Sequence, residues 1–197
     1  MTAPVRRIGL FGGTFDPVHN AHVALAQTAL TSLALAEVHW IPAGQPWQKA
    51  RVITRTEHRV AMVQLAIEHD SRFVLDRTEV DRSGPSYTLD TVRTLRAAWP
   101  GAHFTLLIGQ DQYATLHTWR DWKALLGLVD LAVANRPGLA PQPHAEVLAH
   151  PHRVVPLPML DISSTAIRAR VAAQQDISQL VPPGVARYIG LHHLYRS

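Results

Sequence analysis

The stretch RIGLFGGTFDPVHNAH, residues 7–22, predicts a strand that breaks into a glycine-rich loop and then enters a helix. The run before Gly12 and Gly13 is apolar, and two residues without a Cβ atom let the backbone turn sharply and let an anion approach its amides. A helical pattern starts at His19 or Asn20, which would place the anion at the positive end of a helix dipole. These features predict a phosphate-binding loop in an α/β protein.

His19 and His22 are candidate functional side chains of this stretch. Because they are three residues apart, they would lie on one face of the first helical turn. The loop matches neither the GxxxxGK[ST] phosphate loop nor the GxGxxG fingerprint, so other side chains must supply positive charge. A histidine pair could also hold zinc or cap the helix, but catalytic zinc needs a third protein ligand. Phosphate contact is the favoured interpretation, with Asp16 expected to fix the turn before Pro17.

The composition is that of an ordinary globular protein. The 197 residues are 47% hydrophobic and 17% charged, with a net charge of +4 and no cysteine. Without cysteine the chain has no disulfide, no thiol catalysis and no thiolate metal site. The basic residues form no run of five or more, which argues against nucleic-acid binding. With no leader-like start and no apolar run of ~18 residues, the sequence predicts a soluble cytoplasmic protein without membrane contact.

Short apolar runs alternate with helical patterns along the chain, which indicates an α/β fold with a doubly wound parallel sheet and helices on both faces. Strands are predicted at 7–11, 38–41, 73–75, 103–108, 131–134 and 153–155, with 103–108 in the centre of the sheet. Helices are predicted at 20–36, from a cap at Thr54 or Thr56 to 69, at 88–99, at 119–126, from 163 onward and at 185–192. The chain is expected to form one domain, 1–197, with a helical C-terminal part from about 161 to 197.

The connection at 43–54 is long for a link between a strand and a helix. It carries Trp47, Lys49 and Arg51, and we expect it to form a mobile flap. Trp119 is open to two interpretations, a half-buried core residue or a ring that stacks on a flat ligand.

Near the C-terminus, DISSTAIR places three hydroxyl residues at a helix start and Arg168 one turn later. Ser163, Ser164 and Thr165 are ordinary caps, so a surface helix is one interpretation. A second helix N-terminus with hydroxyls and a planar guanidinium would also suit a triphosphate.

Several segments, in this order, resemble the bacterial nicotinate mononucleotide adenylyltransferase family: GLFGGTFDPVHNAH, IPAGQPWQK, PSYTLDT, LLIGQDQ followed by TWRDW, and DISSTAIR. That family lies within the nucleotidyltransferases that share an (H/T)xGH motif with class I aminoacyl-tRNA synthetases. The resemblance covers nearly the whole chain and is far more specific than any single motif. The sequence departs from the pattern at Ala21, where the family's HxGH motif usually has glycine.

The resemblance implies a Rossmann-like fold and the reaction of ATP with nicotinate mononucleotide to give deamido-NAD and pyrophosphate. It implies a catalytic role for His19, His22 and Arg168. The residues that it implies for ATP binding are Gly12, Gly13, Thr14, Lys49, Gly109, Asp111, Ser164 and Thr165, and those for the mononucleotide are Tyr87, Thr88 and Trp119. Mg²⁺ would be carried by ATP oxygens and water, without a metal site in the protein.

This chemistry needs no general base, because the mononucleotide phosphate is already ionised at neutral pH. The protein must instead align two polyanions and stabilise the charge that develops. We expect His19 and His22, completed by Arg168 and Lys49, to supply the positive charge. Alternatives are nicotinamide mononucleotide or phosphopantetheine as the acceptor, or a non-catalytic nucleotide-binding module. An RNA-binding module has less support, since there is no basic stripe or aromatic platform.

Overall fold

The structure, a computed structural model, describes residues 5–46, 52–135, 142–157 and 160–196. Strands in these ranges are β1 (Arg7–Gly13), β2 (Glu37–Pro42), β3 (Phe73–Leu75), β4 (His103–Gly109), β5 (Asp130–Asn135) and β6 (Arg153–Pro156). Helices are α1 (Asn20–Ser32), α2 (Thr56–Ile67), α3 (Thr88–Ala98), α4 (Gln110–Thr115), α5 (Trp122–Leu126), α6 (Ala145–Leu148), α7 (Ser164–Ala172) and α8 (Pro183–Leu191), with a 3-10 turn at Leu116–Thr118.

The described strands form one parallel sheet of six, in the order β3-β2-β1-β4-β5-β6. The chain winds outward from β1 to β3 on one side and from β4 to β6 on the other, so the strand order reverses between β1 and β4. This confirms the doubly wound sheet and the central position of the strand predicted at 103–108. In open sheets of this kind, a crevice opens at the carboxyl ends of the strands where the order reverses.

Each central strand directs alternate side chains into two apolar layers, as a strand period of two requires. Ile8 and Leu10 of β1 are buried in the layer built with α3, α4, α5 and α6. Phe11 is buried in the opposite layer, built with α1, α2, α7 and α8, where Ile167 and Val185 also lie. Helices therefore cover both faces of the sheet, and the C-terminal helices belong to the same apolar layer as α1.

Two helix boundaries differ from the prediction because the chain takes left-handed backbone conformations. α1 ends at Ser32 instead of near residue 36, and Ala34, with a φ of 50°, turns the chain toward β2. The helix predicted at 119–126 begins only at Trp122, after Asp121 with a φ of 50°.

The start of α2 also differs, because neither predicted threonine caps it. The N-cap residue is Arg55, and the Thr56 hydroxyl instead accepts a hydrogen bond from Arg59 Nη2 at 3.0 Å. The expected flap residues Trp47, Lys49 and Arg51 lie outside the described residues. Within the described parts of the chain, no helix has the length and apolar character needed to cross a membrane.

Candidate active site

A cavity of about 520 Å³ opens at the carboxyl ends of β1 and β4. Its walls come from the loop after β1, the starts of α1, α3, α4 and α7, and the segment before α5. The sequence-predicted site residues that border it are Gly12, Gly13, Thr14, His19, His22, Tyr87, Thr88, Gly109, Asp111, Trp119, Ser164, Thr165 and Arg168. Lys49 lies outside the described residues. All the described candidates therefore meet at one cavity.

Gly12 and Gly109 bring the backbones of the two central strands to the cavity wall. A Cβ atom at either position would meet no protein atom within 4 Å. Gly13 differs, since a Cβ atom there would lie 2.8 Å from the ring of Phe15. Gly12 and Gly109 thus leave room for a ligand to approach the backbone closely.

His19 and His22 form a stacked pair at the start of α1. Their ring centroids are 3.6 Å apart and the ring planes are inclined by 20°. The backbone N–H of His19 donates to Nδ1 of His22 at 3.1 Å. Because Nδ1 accepts this bond, the proton of a neutral His22 ring lies on Nε2.

The surroundings of His22 determine its charge. Its ring lies 5.2 Å from that of Phe15 and 5.9 Å from that of Phe11, centroid to centroid. Burial, followed by the nearby His19, holds the pKa of His22 well below its usual value of 6.5. Burial therefore favours the neutral form of His22, an Nε2–H donor, over the positive charge expected of it from the sequence.

The start of α7 is docked against the loop after β1. Arg168 Nη1 donates to the carbonyl oxygen of Asp16 at 2.7 Å, and Nη2 donates to Thr165 Oγ1 at 3.1 Å. The Ser164 hydroxyl donates to the carbonyl oxygen of Pro17 at 2.9 Å. These contacts bring two helix N-termini, those of α1 and α7, to the same side of the cavity.

Neither helix has an acidic residue in its first turn, so no carboxylate on that turn neutralises the positive end of the dipole. Ser163 caps α7 by accepting a hydrogen bond from the N–H of Ala166 at 3.1 Å. Of the three hydroxyl residues in DISSTAIR, one therefore caps the helix, and the other two contact the loop after β1 and Arg168. The N-termini of α1 and α7 can therefore both attract an anion.

Two residues that sequence reasoning missed donate hydrogen bonds to the loop after β1, called the β1 loop below. The Tyr195 hydroxyl donates to Asp16 Oδ1 at 2.8 Å, and burial raises the pKa of Tyr195. Arg59 is only 1% exposed and donates to the carbonyl oxygens of Thr14 at 2.8 Å and Thr54 at 3.0 Å. No local sequence signal could have found either residue, because their partners are distant in the chain or are backbone atoms.

The other half of the cavity is aromatic. Tyr87 is the N-cap residue of α3 and Thr88 is its first residue, while Trp119 comes from the segment before α5. Trp119 borders the cavity and also packs against the apolar layer beneath it. Its Nε1 is buried and has no hydrogen-bond partner in the described part of the protein. The structure thus supports both a core contact and a cavity wall for this ring.

A carboxyl group beside α3 also borders the cavity. Glu79 borders the cavity and accepts a hydrogen bond from the Thr91 hydroxyl at 2.8 Å. Burial raises the pKa of Glu79. Ser86 Oγ accepts the N–H of Gly44 at 3.0 Å, and a Cβ atom at Gly44 would overlap the carbonyl oxygen of Glu79. The loop after β2 is therefore packed tightly against the segment before α3.

A parallel sheet with an imidazole pair, an arginine and two helix N-termini around one crevice defines a nucleotide-binding α/β protein. The Cytidylyltransferase-like family model matches residues 10–170. A protein of Methylibium petroleiphilum described as "Probable nicotinate-nucleotide adenylyltransferase" is 51% identical, over 98% of this chain and 94% of its own. A protein of Bordetella petrii with the same description is 46% identical, over 98% of this chain and 100% of its own. The chain belongs to the nicotinate-nucleotide adenylyltransferase family.

A solved structure supports the fold independently. The Plasmodium falciparum nicotinic acid mononucleotide adenylyltransferase complexed with NaAD superposes with a TM-score of 0.81, covering 96% of this chain and 97% of its own. The sequence identity is 21%, so this similarity establishes the Rossmann-like fold and no residue roles.

Proposed function

We propose that this protein transfers the adenylyl group of ATP to nicotinate mononucleotide, forming deamido-NAD and releasing pyrophosphate. The observation that carries the proposal is a single cavity with two chemically different halves. One half has two helix N-termini, the His19–His22 pair and Arg168, which suit a triphosphate. The other half has Tyr87 and Trp119, which suit a flat base. Relatives at 51% and 46% identity carry the name of this activity.

The two substrates occupy the two halves of the cavity. The triphosphate of ATP lies along the β1 loop at Gly12, Gly13 and Thr14 and reaches Ser164 and Thr165 at the start of α7. The adenosine lies beside Gly109 and Asp111, and the mononucleotide beside Tyr87, Thr88 and Trp119. Lys49, which lies outside the described residues, is proposed as a further phosphate-binding side chain on the family resemblance alone. This arrangement brings the mononucleotide phosphate toward the α-phosphate of ATP between the central strands.

The reaction is a displacement at phosphorus. An oxygen of the mononucleotide phosphate forms a bond to the α-phosphorus of ATP, while the bond from that phosphorus to the bridging oxygen breaks. Pyrophosphate leaves with the electron pair. Because a phosphate monoester has a second pKa of about 6, the attacking oxygen is ionised at neutral pH. The protein therefore contributes alignment and charge stabilisation.

His22 and Arg168 have different parts in that stabilisation. Nδ1 of His22 accepts the His19 N–H, so its Nε2–H is the donor that remains for a phosphate oxygen. The buried ring is fixed in place, so little reorganisation is needed as charge develops. Arg168 supplies a full positive charge, and its contact with the Asp16 carbonyl oxygen holds it beside the β1 loop.

Mg²⁺ enters this proposal with ATP. Among the described residues, no three or more histidine or acidic side chains stand together as a metal site. This ion usually keeps several waters and binds through substrate phosphates and one or two carboxylates, without a dedicated cage of protein ligands. When bound, Mg²⁺ neutralises part of the phosphate charge.

The whole chain, 1–197, acts in this proposal as one nucleotidyltransferase domain. Its helical part, from about 161 to 197, supplies Arg168 and supports the β1 loop. Contacts between Asn20 N–H and the Leu180 carbonyl oxygen at 2.9 Å, and between Tyr195 and Asp16, support this assignment.

The test is product analysis with purified protein, ATP, magnesium and nicotinate mononucleotide. We expect pyrophosphate and deamido-NAD in equal amounts, and neither product when the mononucleotide is omitted. Binding of ATP without release of pyrophosphate from it, whichever acceptor is supplied, would support a non-catalytic module instead. A higher turnover with nicotinamide mononucleotide would reassign the acceptor.

A further inference from the structure

Arg120 borders the cavity in its aromatic half. Its guanidinium carbon lies 4.6 Å from the centroid of the Tyr87 ring, which is a cation–π contact. Tyr87 immediately precedes α3, whereas Arg120 lies just before α5, so the contact joins two separate elements. A positive charge therefore stands beside the aromatic wall where the pyridine base is proposed to bind.

The backbone around Arg120 is held by the fold. The N–H of Trp119 donates to the carbonyl oxygen of Leu116 at 3.0 Å, and the N–H of Trp122 donates to that of Trp119 at 3.3 Å. Leu116 is fully buried, and Asp121, with a φ of 50°, turns the chain into α5. The backbone of Arg120 is therefore held at a fixed place beside the cavity, while its side chain is largely exposed to solvent.

The donors of the Arg120 guanidinium are available to a ligand. Within the described parts of the chain it makes no hydrogen bond, and its ion-pair partner, Asp121, lies 3.8 Å away. The two side chains of this pair are 59% and 63% exposed, so the pair contributes little stability. A guanidinium presents its N–H groups as a planar fork that matches the two oxygens of a carboxylate.

The distribution of charge around the cavity indicates what this cation is for. Among the described residues that border the cavity, the arginines are Arg120 and Arg168. Arg168 lies beside Asp16 and Thr165 in the phosphate half, where ATP requires positive charge. Arg120 lies in the other half, beside Tyr87. The ring of either mononucleotide is itself a pyridinium cation, so a guanidinium there is favourable only if the ring also carries an anionic group. The pyridine ring of nicotinate carries a carboxylate, whereas that of nicotinamide carries a neutral amide.

We propose that Arg120 is a specificity-determining residue whose guanidinium pairs with the carboxylate of the nicotinate ring and disfavours the amide. This inference rests on the proposed function, because it assigns one chemical group of the proposed acceptor. The Tyr87 ring holds the guanidinium beside the base, and a planar ion pair can form at the edge of the pyridine ring.

The test compares pyrophosphate release with nicotinate and nicotinamide mononucleotides at saturating ATP. The proteins are wild type, Arg120→Gln, Arg120→Lys and the matched control Arg93→Gln. Arg93 is an exposed arginine of α3 whose Nη1 lies 3.9 Å from Asp90, and it does not border the cavity. It therefore controls for the loss of one positive charge. If turnover with nicotinamide mononucleotide is too slow to measure, titration calorimetry can compare the affinities of each protein for the two mononucleotides.

We expect Arg120→Gln to lower kcat/KM for nicotinate mononucleotide about tenfold, a modest loss because the side chain is exposed. The value for nicotinamide mononucleotide should not fall by more than about twofold, since its ring is a cation that carries a neutral amide and no carboxylate. Arg120→Lys should recover only part of the loss because it lacks the planar fork. Arg93→Gln should leave both values unchanged.

Equal losses with both mononucleotides would show that Arg120 binds the phosphate that they share, and would overturn the carboxylate assignment. If Arg120→Gln left kcat/KM unchanged for both mononucleotides, the carboxylate assignment would be overturned as well. Either result leaves the proposed function intact as long as the wild type forms deamido-NAD. A wild type that releases no pyrophosphate with either acceptor would contradict the proposed function itself, and the inference with it.

Discussion

Gly12→Ala places a single methyl group in the proposed path of the ATP phosphates. The added Cβ atom would meet no protein atom within 4 Å, so the substitution should leave packing undisturbed. Gly12 lies at the exposed end of β1 and has no left-handed φ, so alanine fits its backbone. Replacing a strand glycine with alanine at such a site should stabilise the fold by about 0.5–1 kcal/mol, because the unfolded chain loses freedom.

The effect on ATP should have the opposite sign. A methyl group forced into a close contact costs about 1–3 kcal/mol, which corresponds to about a 5- to 150-fold loss of affinity. Pyrophosphate release at varied ATP concentration should therefore show a raised KM for ATP, or a lowered kcat if the phosphates shift. Thermal unfolding of the same sample should show a melting temperature that is unchanged or slightly higher.

Gly190→Ala is the matched control. A Cβ atom at Gly190 in α8 also meets no protein atom within 4 Å, and this residue does not border the cavity. It should leave the kinetic constants unchanged. A normal ATP dependence for a correctly folded Gly12→Ala protein would refute the idea that the triphosphate lies against the β1 loop.

His22→Ala should lower kcat by about 10²–10³, because it removes a preorganised donor, and near-normal turnover would rule out that role. Arg168→Ala should raise the KM for ATP about tenfold or more, whereas an unaltered ATP dependence would remove this residue from the site. Trp119→Ala should mainly raise the KM for the mononucleotide, and an unchanged KM with a lower melting temperature would leave only the core contact. Burial disfavours charge on His39, but hydrogen bonds to the carboxylates of Asp76 and Glu37 outweigh it and raise the pKa of His39 above 6.5. Protonated His39 therefore adds to the free energy of unfolding. This contribution should be fully present below pH 6.5 and be lost as the pH rises through the raised pKa of His39. The difference in melting temperature between wild type and His39→Gln should therefore shrink at high pH, and a constant difference would contradict this reasoning.

Local patterns were sufficient to locate most of the fold. The strand predicted at 73–75 matches β3, and the prediction at 103–108 falls one residue short of β4. Both runs are apolar and bounded by turn residues, so local signals decide them. The helix α4 was missed, because GQDQYATLHTW shows no clear helical period and the N-cap residue of α4 is Gly109, without a side chain.

The site was predictable as a set of motifs but not as a network. The β1 loop, the α7 start and the aromatic segment each have local signatures, and the structure brings them to one cavity. Arg59 and Tyr195 have no such signature, because their roles depend on backbone oxygens and on a partner 179 residues away. The neutral state of His22 also requires the structure, since it follows from burial beside Phe15 and Phe11. The sequence therefore locates the motifs, but the charge and the hydrogen-bond partners of their side chains depend on contacts between distant parts of the chain.

The central claim is that the α-phosphate of ATP moves to the mononucleotide. ATP labelled at the α-phosphorus tests it directly when it is incubated with the protein, magnesium and nicotinate mononucleotide. We expect the label to appear in deamido-NAD while the β- and γ-phosphates leave together as pyrophosphate. Label recovered as AMP, or a γ-phosphate transferred in place of the adenylyl group, would contradict it.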